Sequence, residues 1–353
     1  MSDQKPSLEA TPSLKTPLVV AEIGGNHAGD PQKARLLCQA AQKAGAGAIK
    51  FQAYQTKRFI HPQNPYYAEL AQEELPFKVL KELLAFSRDL GLKTGLTVFG
   101  PEGLDLALEA KADYIKISSG DLTYHPLIRL ASQLPLPLVI STGASSHREV
   151  EAARSICPKS TIILQCAALY PAPLSALNLA VMAEWLRKGL KAGFSDHGLE
   201  IEPAIAALRL GAAMVEKHFA IDRDWPGGDN AMSSLPEDFQ KLALLAQKPP
   251  EPPESEEFFQ KIAKDPPIFW GNSQKGPLPG ENPSLIRRWA VAAKPLAKGQ
   301  ELKPEDILFQ RTPPSPSPLL SPEEPWKPYQ LARALAPGQL VSLNDLMPLE
   351  ADL

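Results

Sequence analysis

The stretch LVVAEIGGNHAGDPQKARLLCQAAQKAGAGAIKFQ, residues 18–52, contains one complete repeat of the pattern that decides the fold. It begins with an apolar run, continues through a segment whose apolar residues have helical spacing, and ends in a second apolar run. A strand, a helix and a second strand in this order are typical of a βα unit. The stretch therefore predicts an α/β protein built around a parallel sheet.

The same pattern continues to about residue 247. Candidate strands begin at Leu18, Ala48, Lys93, Asp113, Leu136, Thr161, Lys191 and Ala213. Helical segments fit between them, for example at 32–43 and 76–90. Eight units in series, with no GxGxxG fingerprint after the first strand, favour a closed (β/α)8 or TIM barrel over an open doubly wound sheet.

Composition predicts four parts of the chain. Residues 1–17 are polar and rich in Pro, Ser and Thr, which predicts a disordered tail, and 18–247 form the barrel. The chain has 37 prolines, about twice the usual ~5%, and many of them fall in 248–284, which indicates a Pro-rich linker. Short strand-like pieces broken by Gly and Pro turns predict a small β-rich domain over 285–353.

The net charge and the lack of targeting signals argue against a nucleic-acid-binding, membrane or secreted protein. A formal net charge of -3 gives no field that would attract nucleic acid or an anionic membrane. The N-terminus lacks the apolar core of a signal peptide, and no run is long enough to span a bilayer. We therefore expect a cytoplasmic protein with neither nucleic acid nor membrane as a partner.

Polar residues fall where the predicted strands end. In barrel enzymes the chemistry lies at these C-terminal ends, because side chains fill the interior below. The residues at these positions are Glu22, Lys50, Gln52, Thr97, Lys116, Ser119, Tyr170, Ser195, His197, Glu216 and His218. Because strand side chains alternate between faces, Lys50 with Gln52 and Glu216 with His218 can point to the same side.

Each of these residues has a chemical and a structural interpretation. A lysine inside a barrel mouth is costly unless it meets an anion, so Lys50 and Lys116 indicate either a phosphate or carboxylate ligand, or ion pairs with Glu22 or Asp121. His197 and His218 could bind one divalent metal, or act as general acids or buried structural groups. Glu22 could be a base or a lysine's partner.

The chain resembles the sialic acid synthase family, in which a phosphoenolpyruvate-binding barrel precedes an antifreeze-like (SAF) domain. The motifs that carry the resemblance are AEIGGNHAGD (21–30), IKFQ (49–52), YIKISSGD (114–121), STG (141–143), QCAALYP (165–171), FSDH (194–197), EKHF (216–219) and PGGD (226–229). In the last part of the chain, RRWAVAAKPLAKGQELKPEDILFQR resembles the SAF module, with its arginine at Arg311. The motifs keep one order over nearly the whole chain.

This resemblance implies the roles of the site residues. His197 and His218 would hold a divalent cation, typically Mn²⁺, with Mg²⁺ and Co²⁺ as alternatives. The residues expected around phosphoenolpyruvate are Lys50, Thr97, Lys116, Ser119 and Ser195. Those expected to face the sugar are Glu22, Gln52, Tyr170 and Asp229. Arg311 would reach the sugar's acyl group in trans, from the partner in a domain-swapped homodimer.

The implied reaction condenses phosphoenolpyruvate with N-acetylmannosamine or a related N-acyl amino sugar, giving a sialic acid and phosphate. Glu22 is the candidate base for the water that adds during the reaction. Two open alternatives are a legionaminic or pseudaminic type of synthase and a synthase of phosphosugars, which extra basic residues near Arg58 would favour. A third is a catalytically weakened binding protein of the same fold.

Three positions depart from the family pattern. The asparagine expected in the sixth-strand motif is Ala168, the acidic residue after the fourth strand is Asp121 instead of Glu, and a serine after the third strand is Gly100. Losing one polar contact to an anion costs about 1 kcal/mol or more. These departures predict a divergent branch of the family and motivate the weakened-binder alternative.

Overall fold

A computed structural model describes residues 17–248, 252–315, 317–323 and 327–349. Its core is a closed barrel of eight parallel strands in the order of the sequence. The strands are β1 (Leu18–Glu22), β2 (Ala48–Ala53), β3 (Lys93–Val98), β4 (Tyr114–Ile117), β5 (Leu138–Ser141), β6 (Ile162–Cys166), β7 (Ala192–Asp196) and β8 (Met214–His218). The predicted (β/α)8 barrel is confirmed, and each strand begins within two residues of its predicted start.

Helices pack around the barrel and over its mouth. They are α1 (Pro31–Lys43), α2 (Thr56–Phe59), α3 (Tyr67–Glu73), α4 (Phe77–Asp89), α5 (Pro101–Glu109), α6 (His125–Ser132), α7 (His147–Ser155), α8 (Ala180–Arg187), α9 (Glu202–Arg209), α10 (Pro236–Ala246), α11 (Pro252–Lys264) and α12 (Pro283–Ile286). The amphipathic α1 buries Ala34, Leu37, Cys38 and Ala41. Asp30 caps its start by accepting a hydrogen bond from the Gln32 N–H, because the first amides of a helix have no partner within it.

Strand register brings polar residues from distant parts of the chain together. Glu22 pairs with Lys50 on one side and with His218 on the other. Thr97 lies beside Gln52 and Lys116. Because parallel strands end at the same edge, the C-terminal ends of all eight strands form one mouth.

The C-terminal part of the chain has its own small β structure. It contains β9 (Arg288–Ala292), β10 (Glu301–Leu302), β11 (Ile307–Arg311), β12 (Tyr329–Leu331) and β13 (Leu346–Pro348). Strands β9 and β11 form one sheet, and β10, β12 and β13 form another. Buried Leu302, Leu331 and Val341 belong to a separate apolar cluster, which is consistent with the predicted small SAF-like domain.

The segment predicted to be a linker has more structure than its proline content indicated. Helix α11 forms within it, and Ile262 and Trp270 are buried in the apolar cluster of the barrel. Proline favours the first turn of a helix, and an amphipathic stretch follows it here, so the segment packs on the barrel instead of crossing solvent. Residues 1–16, which cover nearly all of the predicted tail, lie outside the described residues.

Among the described residues, no helix is long and apolar enough to cross a membrane.

Candidate active site

A cavity of about 550 Å³ opens at the C-terminal ends of the barrel strands. All of the predicted site residues line it: Glu22, Lys50, Gln52, Thr97, Lys116, Ser119, Tyr170, Ser195, His197, His218, Asp229 and Arg311. Glu216 and His218 were predicted to point to the same side of their strand, and both line the cavity. Their individual roles in catalysis remain predictions.

The deep end of the cavity contains two buried lysines. Lys50 donates to the Thr97 hydroxyl at 2.7 Å and forms an ion pair with Glu22, while Glu216 lies 3.8 Å away. Although burial disfavours the charged lysine, Glu216 and Glu22 raise the pKa of Lys50 above its usual value. The ion pair of Lys50 with Glu22, one of the two interpretations left open for this lysine, is present in the structure.

Lys116 has a partner that the sequence did not indicate. Its amino group contacts Glu216, one hundred residues further along the chain, and Ser195 donates to the same carboxylate oxygen at 3.1 Å. Burial favours a neutral Glu216, but Lys116 and Lys50 together lower the pKa of Glu216 to about 2. The expected alternative partner, Asp121, is instead bound by Arg288 at 2.7 Å.

We call Lys50, Lys116, Glu22 and Glu216 the floor of the cavity. Its two positive and two negative charges balance one another. Thr97, Ser119 and Ser195 place hydroxyl groups at the same cavity. An anion that enters can share the lysines with the carboxylates and accept hydrogen bonds from these hydroxyls.

Two histidines lie side by side next to the floor. The ring centroids of His197 and His218 are 5.4 Å apart, and the Tyr170 ring stacks on His197 at 4.2 Å. The His197 Nδ1 is within 2.6 Å of the Ala167 carbonyl oxygen, which fixes the ring. The His218 Nδ1 lies 3.3 Å from the Asp229 carboxylate.

These histidines fit a divalent cation by their chemistry. Burial, followed by the nearby His197, lowers the pKa of His218 to about 3, so its imidazole is neutral and has a free lone pair. The buried His218 Nδ1 makes no hydrogen bond. In the described part of the chain, no group of three or more His, Cys, Asp or Glu residues could hold a metal alone. A cation on this pair would therefore keep open positions for substrate or water.

Helix α3 brings two carboxylates to the cavity that the sequence analysis did not single out. Glu73 is 9% exposed, and it accepts a hydrogen bond from the Gly228 N–H at 2.7 Å. Burial raises the pKa of Glu73, the hydrogen bond from the Gly228 N–H opposes this, and the nearby Asp229 and Glu69 add to the rise, so that the pKa lies at about 7. None of the motifs that carry the family resemblance includes residues 56–75, so no motif pointed to Glu69 or Glu73.

Arg311 lies in the mouth of its own chain, which differs from the expected contact in trans. Its guanidinium stacks over the Phe59 ring at 4.5 Å from the ring centroid. An isolated β-bridge joins Arg311, at the end of β11, to Ile60 in the segment after β2. Arg288 anchors β9 by donating to Asp121 and to the Phe99 carbonyl oxygen at 2.8 Å. These buried contacts hold the C-terminal sheet against the same barrel. The oligomeric state remains a prediction.

A carboxylate occupies the space near the departure at Ala168. Glu281, from the predicted linker, accepts hydrogen bonds from the Ala144 N–H at 2.9 Å and the Ala168 N–H at 2.5 Å. Its second oxygen accepts from the Leu278 N–H at 2.7 Å. The loops after β5 and β6 are therefore fixed by a residue from outside the barrel, which the strand-end pattern could not reveal.

The fold and the cavity define a (β/α)8-barrel enzyme whose site combines a floor of two buried lysines and two carboxylates with a pair of adjacent buried histidines. The model of the NeuB family matches residues 37–248. The chain is 30% identical to the N,N'-diacetyllegionaminic acid synthase of Legionella pneumophila, over 85% of this chain and 86% of the relative.

Solved structures give the same result. The spore coat polysaccharide biosynthesis protein SpsE from Bacillus subtilis superimposes with a TM-score of 0.78 at 27% identity, over 95% of this chain and 96% of that one. The N-acetylneuraminic acid synthetase from Leptospira borgpetersenii gives 0.63 at 29% identity, over 71% and 93%.

The chain belongs to the NeuB family. It is accordingly a phosphoenolpyruvate-dependent synthase that forms a carbon–carbon bond, of the type that makes nonulosonic acids.

Proposed function

We propose that this enzyme condenses phosphoenolpyruvate with N-acetylmannosamine or a related N-acyl amino sugar, such as a diacetamido hexose. The products are a nonulosonic acid and phosphate. The observation that carries the proposal is the floor, where two buried lysines and the nearby hydroxyls of Thr97 and Ser195 converge beside the histidine pair. A small substrate with a phosphate and a carboxylate suits such a set of donors.

Each bond change has a candidate group in the cavity. The C3 carbon of phosphoenolpyruvate forms a bond to the sugar's aldehyde carbon, whose oxygen gains a proton and becomes a hydroxyl. Water adds to C2 and loses a proton, for which Glu22 is the candidate acceptor. The tetrahedral intermediate expels phosphate and leaves a ketone at C2. Lys50 and Lys116 would stabilise the charge on the leaving phosphate.

A divalent cation is the cofactor that the family implies, and His197 and His218 are the residues that would hold it. When bound, it would polarise the aldehyde carbonyl. Tyr170 would orient His197 through the stacked ring, and Ala167 would fix the tautomer through its carbonyl oxygen. Gln52, which donates to Glu22 at 3.1 Å, and Asp229 would face the sugar.

Phosphate release from phosphoenolpyruvate tests this function. The assay compares N-acetylmannosamine, its 6-phosphate and a diacetamido hexose as acceptors, with Mn²⁺ present. Release that requires one of these acceptors supports the proposal and identifies the sugar. If phosphoenolpyruvate binds but no acceptor promotes release, the condensation is not the function, and the weakened-binder alternative gains support.

A histidine variant tests the metal pair. We expect His218→Ala to lose metal-stimulated phosphate release and to bind Mn²⁺ at least about 10-fold more weakly, because one of two imidazole ligands is gone. His147→Ala, an exposed histidine on α7, is the matched control and should match the parent protein in both measurements. Unchanged Mn²⁺ affinity in His218→Ala would show that the metal lies elsewhere.

A further inference from the structure

One side of the cavity carries carboxylates without matching cations. We call Glu69, Glu73 and Asp229 the acid wall. Glu69 and Glu73 come from α3, and Asp229 comes from the loop after β8. All three line the cavity near the ends of β8 and β1, next to the floor residue Glu22.

Two glycines provide the room that the acid wall needs. A Cβ atom at Gly25 would lie 2.1 Å from the Glu73 Oε2. At Gly228 a Cβ atom would lie 2.8 Å from the Glu73 Oε1 and 3.0 Å from the Glu69 Oε1. Real Cβ atoms do not approach so closely, so any larger residue at either position would displace a carboxylate. The backbone thus lets Glu69 and Glu73 converge beside Gly228.

Two members of the acid wall lack a cationic partner. Within the ranges that the structure describes, no lysine, arginine or histidine forms an ion pair with Glu69 or Glu73. Asp229, the third member, lies 3.3 Å from the Nδ1 of His218. This differs from the floor, where each carboxylate has a lysine.

The cations that could bind an acceptor phosphate lie elsewhere. Arg58 pairs with Glu102 at 3.0 Å and is absent from the cavity lining. Arg311 lies against Gly120, which follows β4. Its guanidinium also packs on Phe59, and among the described residues it forms no ion pair with Glu69, Glu73 or Asp229.

We propose that the acid wall selects an unphosphorylated acceptor sugar, with hydroxyl or amide groups facing Glu69, Glu73 and Asp229, and rejects phosphosugars. Carboxylate oxygens accept hydrogen bonds from sugar hydroxyls and amides. A phosphate dianion placed beside the ionised carboxylates of the acid wall meets like charge in a partly desolvated cavity, which is unfavourable. This inference rests on the proposed function, and it names the acceptor class for the same site.

The test compares N-acetylmannosamine with its 6-phosphate on the full chain with Mn²⁺. Two quantities are measured: kcat/KM from phosphate release, and the Kd of each sugar without phosphoenolpyruvate. For the parent protein we expect a preference for the neutral sugar on the order of 100-fold. In the double variant Glu69→Gln/Glu73→Gln the preference should fall at least about tenfold, through stronger binding of the phosphosugar.

A double variant outside the cavity is the matched control. Glu82→Gln/Glu237→Gln changes the net charge equally at exposed positions on α4 and α10, and it should keep the parent preference. Three outcomes would overturn the inference. The parent protein could use both sugars equally well, the acid-wall variant could keep the parent preference, or neither sugar could bind. If the neutral sugar binds more tightly but neither sugar reacts, the inference stands and the proposed function fails.

Discussion

The floor and the acid wall of the cavity treat buried charge in opposite ways. On the floor, Lys116 contacts Glu216 and Lys50 contacts Glu22, so each charge has a partner. In the acid wall, Glu73 has a single backbone donor and no cation. Paired charges are costly to break because the remaining partner is left buried alone, whereas an unpaired carboxylate costs stability as it stands. Under the proposed selectivity, the same unpaired carboxylates would repel a phosphate on the acceptor sugar.

Breaking an ion pair on the floor of the cavity should have the largest effect on stability and on turnover. We expect Lys116→Met to lower the free energy of unfolding by about 3–5 kcal/mol, because Glu216 stays buried without its lysine. Turnover should fall by about 10²–10³, because a cation beside the leaving phosphate is lost. Chemical denaturation and phosphate release under folding conditions measure the two effects.

The double variant Lys116→Met/Glu216→Gln separates stability from catalysis. Removing both charges should recover most of the lost unfolding free energy, since no unpaired charge remains, while turnover stays low. Recovery of turnover in the double variant would contradict a role for Lys116 at the substrate.

A buried ion pair between the barrel and the C-terminal sheet tests the cost of breaking a pair outside the cavity. Arg288 is buried and binds both oxygens of Asp121, at 2.7 and 3.1 Å. We expect Arg288→Met to lower the free energy of unfolding by about 3–5 kcal/mol and to expose the C-terminal strands to proteolysis. The control is the ion pair of the half-exposed Arg333 with Asp345, whose carboxylate also accepts a hydrogen bond from the Ser342 N–H; Arg333→Met should cost less than Arg288→Met, about 1 kcal/mol. Equal costs would remove the distinction between buried and exposed pairs.

Neutralising the unpaired carboxylate of Glu73 should have the smallest effect on the free energy of unfolding, and it should raise this free energy where the other variants lower it. Because the pKa of Glu73 is raised from 4.5 to about 7 in the folded chain, folding favours its protonated form, and this stability is lost as pH rises from about 4.5 through 7. We expect Glu73→Gln to be more stable than the parent by about 1–2 kcal/mol at pH 8 and equal to it near pH 4. The figure at pH 8 is kept low because solvent in the open mouth of the cavity screens the carboxylate.

Denaturation of both proteins from pH 4 to pH 8 measures this difference. Glu82→Gln, at an exposed position on α4, should show no difference that depends on pH. A Glu73→Gln variant less stable than the parent at pH 8 would mean that the carboxylate has a cationic partner, and the contrast with the floor would fail.

Much of the barrel could be predicted from the sequence because its signals are local. Apolar runs such as 18–22 and 48–53 became strands where they were expected, since β-branched runs separated by helical periodicity have few other packings. Residues at strand ends, including Lys50 and His218, were brought to one cavity because a closed parallel barrel places all its strand ends at one mouth.

The partners of these residues could not be predicted, because partners depend on distances across the chain. Glu22 and Asp121 were the carboxylates considered for the two lysines, but Lys116 contacts Glu216, since β4 and β8 face each other across the barrel. Helix α11 was hidden by a proline-rich composition that indicated a linker.

The sequence by itself determined the eight βα units, the strand-end residues and the order of motifs that indicates the family. Only the tertiary structure decided that Arg311 lies in the mouth of its own chain, that Glu281 fixes the loops after β5 and β6, and that Glu69 and Glu73 meet beside Gly228. Periodicity is a local property, whereas the balance of charge in a cavity depends on which side chains packing brings together.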